Sequence, residues 1–222
     1  MSAILFDMDG TLVDTEPLWF QAEKQVMAEV GVNWEPSDQV NCLGGPMERT
    51  EQYMQDRSGN AKPLGYFSQR LNEVMDEKLK HELQFIPNAL ELLLDCKSAQ
   101  IPIALVTAST GSQMRAVLER FPPGIFDTTV SKDDVADSKP DPAPYKLAAN
   151  QLGVDIEKCL VIEDSITGVQ SGLRAGAHVI GIPHMVKMQP QENLRLIKSL
   201  SDINLNLILE WYPQLAPKSI VR

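Results

Sequence analysis

With 222 residues, 43% of them hydrophobic and 23% charged, the chain can bury one large core or two modest ones and has an ordinary globular composition. Its 30 acidic and 20 basic residues give a formal net charge of −10, which argues against nucleic acid or an anionic membrane as the main partner. The 3 cysteines, Cys42, Cys96 and Cys159, share no short spacing, so reduced thiols in a cytoplasmic protein are expected, without a disulfide framework or a zinc site.

Ala3-Ile4-Leu5-Phe6 reads as a short buried strand. No basic region leads into a long apolar stretch, so no signal peptide is expected, and no apolar run approaches the ~20 residues of a membrane-crossing helix. Asp7 and Asp9 follow, two apart, so in extended backbone they face the same side, and Gly10 breaks the strand. After Thr15 the periodicity turns helical: Leu18, Ala22, Val26 and Val30 recur at i, i+4, Trp19 and Met27 widen the stripe, and Gly31 ends it. Polar, helix-favouring sequence continues with breaks at Pro36, Gly44-Gly45-Pro46, Gly59 and Pro63-Leu64-Gly65, giving an all-helical unit over 16–83.

Ala89 to Gln100 is predicted helical, and Ile101 to Val106 is a buried strand ending at Thr107. Thr110-Gly111-Ser112-Gln113 resembles a capping box that opens the next helix. Thr128-Thr129-Val130 is a weaker strand. Asp141-Pro142 opens a helix that stops at Gly153, Cys159 to Ile162 is a buried strand ending at Glu163-Asp164, and a helix runs on to Gly176. His178 to Ile182 is expected to be the last strand, and Ser201 to Arg222 a packing helix with a loose end. Apolar strands alternating with helices predict an α/β fold: a doubly wound parallel sheet covered on both faces. The expected domains are 1–15 plus 84–222 as the sheet domain and 16–83 as an inserted helical cap, linked through Thr15-Glu16-Pro17 and Gln84-Phe85-Ile86 so that it can hinge as a lid.

Each buried strand ends in a group with chemical potential: Asp7 and Asp9, then Thr107 followed by Ala108 and Ser109, then Glu163 and Asp164, with Lys139 in the loop Ser138-Lys139-Pro140. The carboxyl ends of parallel strands share one edge, where open sheets bind ligands. Crowded carboxylates repel, and a cation is the usual remedy. Oxygen-only acidic ligands suit Mg²⁺, here from Asp7, Asp164 and the Asp9 carbonyl. Lys139 is a point charge for a phosphoryl group, and Thr107 with the Ala108 N–H sits at a helix start, where anions are stabilised. One carboxylate can attack phosphorus to form an aspartyl-phosphate while a second protonates the leaving oxygen and then activates water.

The motif Asp7-Met8-Asp9-Gly10-Thr11-Leu12-Val13-Asp14-Thr15, then Thr107, Ser138-Lys139-Pro140 and Glu163-Asp164-Ser165, resembles the haloacid dehalogenase superfamily over essentially the whole chain, nearest the subgroup of β-phosphoglucomutases and small sugar-phosphate phosphatases. The resemblance implies Asp7 as nucleophile and metal ligand, and Asp9 as general acid/base with its carbonyl on Mg²⁺. It implies Thr107 and Lys139 on the phosphoryl group, and Asp164, helped by Glu163, completing the metal site. It further implies a sugar or polyol phosphate as substrate, with Thr15, Trp19, Gly45 and Arg49 as cap candidates for substrate contacts, and a monomer is expected because the cap can shield its own site.

Each assignment has a plainer competitor. Lys139 could be a solvated loop lysine, Thr107 a strand-end hydroxyl bonded to backbone, and Glu163-Asp164 an acidic pair suited to a helix N-terminus. His81, His178 and His184 show no ligand spacing, and the 9 methionines read as core filler. A mutase of the resembled subgroup would carry a histidine where this chain has Trp19 and an arginine in the cap loop, where Arg49 lies two residues late; hydrolysis is therefore favoured over phosphomutase chemistry. A phospho-aspartate signalling domain is the further alternative, but it would place its phosphoacceptor on a later strand than the acidic pair and would lack the insertion.

Overall fold

The computed structural model describes residues 2–42, 47–183 and 188–216. The chain divides into two compact units, Met1–Asp14 with Gln84–Arg222, and Thr15–Leu83. Thr15 thus falls with the helical unit, one residue before the expected boundary.

In chain order the first unit begins with β1 (Ile4–Phe6) and β2 (Val13–Asp14). The second unit supplies α1 (Glu16–Ala28), α2 (Pro36–Gln39), α3 (Met47–Ser58) and α4 (Tyr66–His81). The first unit resumes with β3 (Gln84–Phe85), α5 (Ala89–Ser98), β4 (Ile103–Val106), α6 (Gly111–Leu118), β5 (Thr128–Val130), α7 (Ala143–Gln151), β6 (Leu160–Glu163), α8 (Ile166–Ala175), β7 (His178–Gly181), β8 (Leu194–Leu196) and α9 (Leu205–Trp211). Its sheet runs β5-β4-β1-β6-β7-β8 with every neighbouring pair parallel, as the apolar runs of the central β1, β4 and β6 predict. Ile4, Leu5 and Phe6 lie level with Ile103, Ala104 and Leu105 on one side and Leu160, Val161 and Ile162 on the other. One side of the sheet packs Leu5, Ala104, Val106, Val161 and Val179 against Tyr145, Ala148 and Val169 from the helices.

Two elements differ from the sequence expectation. The sheet does not end at β7: Leu194–Leu196 adds a sixth strand, parallel to Val179–Gly181. Three residues interrupted by Arg195 carry too little periodicity to announce a strand. Gln84–Phe85, expected as a linker, pairs antiparallel with Val13–Asp14. The helix expected in the tail is α9, N-capped by Asn204, whose side chain accepts from Leu207 N at 2.9 Å. Among the described residues no helix is long and apolar enough to cross a membrane.

In the helical unit α1 packs on α4 and α4 on α3. Leu18, Ala22, Val26 and Met27 are buried on α1, facing a stripe of Phe67, Leu71, Val74, Met75 and Leu79 on α4. Gly65 stands at the N-cap of α4 with φ +91 and has no side-chain acceptor to offer. Glu51 of α3 supplies one instead, taking hydrogen bonds from Gly65 N (2.9 Å), Ser68 N (2.6 Å) and Ser68 Oγ (2.8 Å).

Glu23 is buried on the same face of α1 as the apolar stripe, accepting from Trp34 Nε1 at 3.0 Å. Burial pushes its carboxyl up to about 7, against the Trp34 hydrogen bond, and nearby Asp38 adds to the rise. A folded-state value raised above the unfolded one means stability is lost as pH rises between the two, here from the ordinary carboxyl range to about 7, by at most about 1.4 kcal/mol per pH unit. Glu23→Gln keeps an acceptor for Trp34 and removes the titration. Melting curves should therefore show the variant gaining on the wild type between pH 5 and pH 8; an equal difference at both pH values would remove this role.

Candidate active site

The site is built at the carboxyl edge of β4, β1 and β6. Asp7 N donates to Ile162 O at 3.0 Å and Thr107 N to Val130 O at 2.9 Å, so each residue continues its strand by one ladder bond. The chain then turns sharply: Leu12 N and Val13 N both donate to Met8 O, and Gly10, at φ +79, passes directly beneath Asp164. A Cβ at Gly10 would collide with the Asp164 carboxylate, so glycine is required for close approach as well as for its dihedral.

Lys139 is no solvated loop lysine. Its side chain is 2% exposed, and Nζ donates to Asp7 Oδ1 at 2.6 Å, Glu163 Oε1 at 2.7 Å and Val106 O at 2.9 Å, which uses all three ammonium hydrogens. Glu163 is fully buried and saturated: Oε1 also accepts from Tyr145 OH at 2.8 Å, and Oε2 from Asp164 N, Ser165 N and Ser165 Oγ at 3.0–3.2 Å. Ser165 in turn caps α8 by accepting from Gly168 N. Asp9 is half-buried, and its Oδ2 accepts from Thr107 Oγ1 and Ser109 Oγ. Ala108 lies exposed between those two residues.

Asp7, Glu163 and Asp164 each bring one oxygen within 4.8 Å of the others, and they are the one such acidic group among the described residues. Burial, then the Glu163 charge, pushes the Asp7 carboxyl up to about 8 although Lys139 pulls it down; burial, then Asp7 and Glu163, carries Asp164 to about 9. Burial works against the Lys139 ammonium, but Asp7 and Glu163 outweigh it and hold it above its ordinary value. Such a set calls for one more positive charge. Asp7 Oδ2 is buried without a hydrogen-bond partner, while Oδ1 takes Lys139. An orphaned carboxylate oxygen beside a second carboxylate is a hard, oxygen-only donor set that fits a divalent cation.

The sequence-predicted residues Asp7, Asp9, Thr107, Ala108, Lys139, Glu163 and Asp164 thus share one edge. Thr15, Trp19 and Arg49 belong to the helical unit, buried, half-buried and exposed respectively; Gly45 and His184 lie outside the described residues. The structure adds contacts for Ser109, Tyr145 and Ser165, to which the sequence assigns no role. Tyr145 was the most findable: a tyrosine on the core face of a helix needs a partner for its hydroxyl.

The model of the haloacid dehalogenase-like hydrolases matches residues 4–182. The chain is 30% identical over 219 residues to a phosphorylated carbohydrates phosphatase of Thermotoga maritima, covering 90% of this chain and 100% of that one. It is 29% identical over 211 residues to hexitol phosphatase B of Escherichia coli, covering 94% and 93%. Among solved structures, CbbY of Rhodobacter sphaeroides in complex with phosphate superposes with a TM-score of 0.74 at 27% identity, over 89% of this chain and 93% of that one. The chain belongs to the haloacid dehalogenase-like hydrolase family.

Proposed function

We propose that the protein is a Mg²⁺-dependent phosphatase that hydrolyses a small phosphorylated metabolite, a sugar or polyol phosphate, through an aspartyl-phosphate on Asp7. The observation that carries this reading is the division of labour between the Asp7 oxygens: Oδ1 is held by Lys139, and Oδ2 is buried with no partner beside Asp164. The substrate class is that of relatives named for phosphorylated carbohydrates and hexitols.

Asp7, Asp164 and the Asp9 carbonyl would hold the cation, which when bound neutralises charge on the phosphoryl oxygens and on the crowded carboxylates. Glu163 serves the site indirectly, since both its oxygens are already saturated and hold Lys139, Asp164 and Ser165 in place. Asp7 attacks phosphorus, the bond from phosphorus to the ester oxygen breaks, and Asp9 gives that oxygen its proton. Asp9, now a carboxylate, takes a proton from water as water attacks the phosphorus, and Asp7 is released with inorganic phosphate. Thr107 and the Ala108 N–H steady the transferring oxygens, while Lys139, whose three hydrogens are already used, acts on them through its charge. Hydrolysis is preferred to phosphomutase chemistry because Trp19 offers a single N–H donor where the mutase pattern calls for a histidine.

The test is phosphate release from p-nitrophenyl phosphate and a panel of sugar and polyol monophosphates. Many turnovers per chain are expected with Mg²⁺, falling by about 100-fold or more on chelation and returning when Mg²⁺ is restored. Turnover indifferent to chelation would overturn the metal, and isomerised sugar phosphate without free phosphate would favour the mutase.

A further inference from the structure

Asp9 Oδ2 accepts two hydroxyl hydrogen bonds, one from Thr107 Oγ1 at 3.1 Å and one from Ser109 Oγ at 2.8 Å. Thr107 Oγ1 in turn accepts from Ser109 N at 2.9 Å. A hydroxyl carries a single hydrogen, and that of Thr107 is committed to Asp9. A phosphoryl group offers oxygens that only accept. For Thr107 to donate to one of them, its hydrogen has to leave Asp9, and the Ser109 hydroxyl still remains on Oδ2. The backbone of Ser109 is pinned on both sides. Its N–H is on Thr107, its carbonyl accepts from Lys132 N at 3.1 Å, and the next residue, Thr110, caps α6 through a reciprocal pair with Gln113.

We propose that Ser109 is the positioning residue for the Asp9 carboxyl, retaining it at the reacting edge while Thr107 exchanges Asp9 for the phosphoryl group. The inference rests on the phosphatase reading above. The bond from Ser109 gains strength as Asp9 gives its proton to the leaving oxygen and becomes a carboxylate, because a hydrogen bond to an ionised acceptor is the stronger kind. It therefore favours the transition state over the bound substrate. The effect belongs to leaving groups that need a proton.

The experiment compares kcat/KM for an alkyl ester, such as glycerol phosphate or a hexose phosphate, with that for p-nitrophenyl phosphate, whose phenolate departs without one. Both values report steps up to phosphoryl transfer, and their ratio within one preparation is independent of how much of the variant is folded. Ser109→Ala is expected to lower the alkyl value by about tenfold or more while the aryl value changes by less than about threefold. Ser109→Thr, which keeps a hydroxyl, is expected to restore the ratio. Equal losses on both esters would overturn the inference and assign Ser109 to phosphate binding or to the fold; an unchanged alkyl value would overturn it too. A wild-type protein that turns over neither ester would instead remove the phosphatase reading itself, and this inference with it.

Discussion

Asp7→Asn is expected to abolish phosphate release while leaving the fold as stable as before, or more so. The variant is nearly isosteric, and its amide oxygen can still accept from Lys139 as Asp7 Oδ1 does at 2.6 Å. What it loses is the charge and the nucleophilic oxygen. Removing the nucleophile from a cooperating site costs about 10⁴-fold or more in kcat, because the remaining groups act only through it. Stability should move the other way. In the cation-free protein, burial and Glu163 push the Asp7 carboxyl up to about 8. A raised folded-state value means that keeping it ionised opposes folding increasingly from the ordinary carboxyl range up to about pH 8. A neutral amide removes that penalty and also relieves Asp164, which Asp7 helps push up to about 9. Phosphate release and melting temperature at pH 7.5 without added metal check both halves. Residual turnover within tenfold of wild type would take Asp7 out of the nucleophile's role, and a melting temperature several degrees lower would make it a structural residue.

Much of this arrangement is legible in the chain because it is local. β1, β4 and the first three residues of β6 are apolar runs, and a parallel topology puts their ends on one edge, so the sequence places Asp7, Thr107 and Asp164 together. The capping box of Thr110 and Gln113 depends on residues three apart and was likewise readable. Other features were illegible because their partners are distant in sequence. Lys139 taken alone is an ordinary loop lysine; Asp7, Glu163 and Val106, from three separate strand ends, make it buried. Glu23 is a single acid beside the apolar stripe of α1, and the Trp34 indole that bonds it comes from beyond the end of that helix. β2, β3 and β8 have two or three residues each, below the length at which alternation can be counted.

The network around Glu163 ties the carboxyl ends of three strands together through one lysine. Lys139 bridges Asp7 and Glu163, and Tyr145 and Ser165 complete the Glu163 shell. A buried pair of this kind contributes little net stability over an apolar replacement, but losing one partner is expensive because the other charge is stranded. The site is therefore rigid where Lys139 and Glu163 meet, and any change that displaces Glu163 should be felt in both stability and turnover.

Gly168→Ala is the change that tests this most sharply, because two physical effects predict opposite signs. Gly168 lies in the first turn of α8, and alanine is the better helix former by about 1 kcal/mol. Yet a Cβ there would overlap the Glu163 carboxyl group, both oxygens and the carbon between them. Glu163 cannot swing aside as a surface side chain would, since it is fully buried and tied to Lys139, Tyr145 and Ser165. Overpacking costs about 1–3 kcal/mol, and disrupting a buried, hydrogen-bonded pair about 3–5 kcal/mol, so the clash outweighs the helix gain. A net loss of about 2–4 kcal/mol is expected, or roughly 5–15 °C in melting temperature for a chain of this size. Turnover should fall as well, since Lys139 moves with Glu163. Gly172→Ala is the internal control: one turn along the same helix, its Cβ would meet Val179 Cγ2 at 3.1 Å, Val161 Cγ1 at 3.2 Å and Val161 Cβ at 3.3 Å, a much milder crowding and one that touches no part of the Glu163 shell. A Gly168→Ala protein as stable as Gly172→Ala would mean that the Glu163 shell yields after all, and that its hydrogen bonds do not fix Lys139.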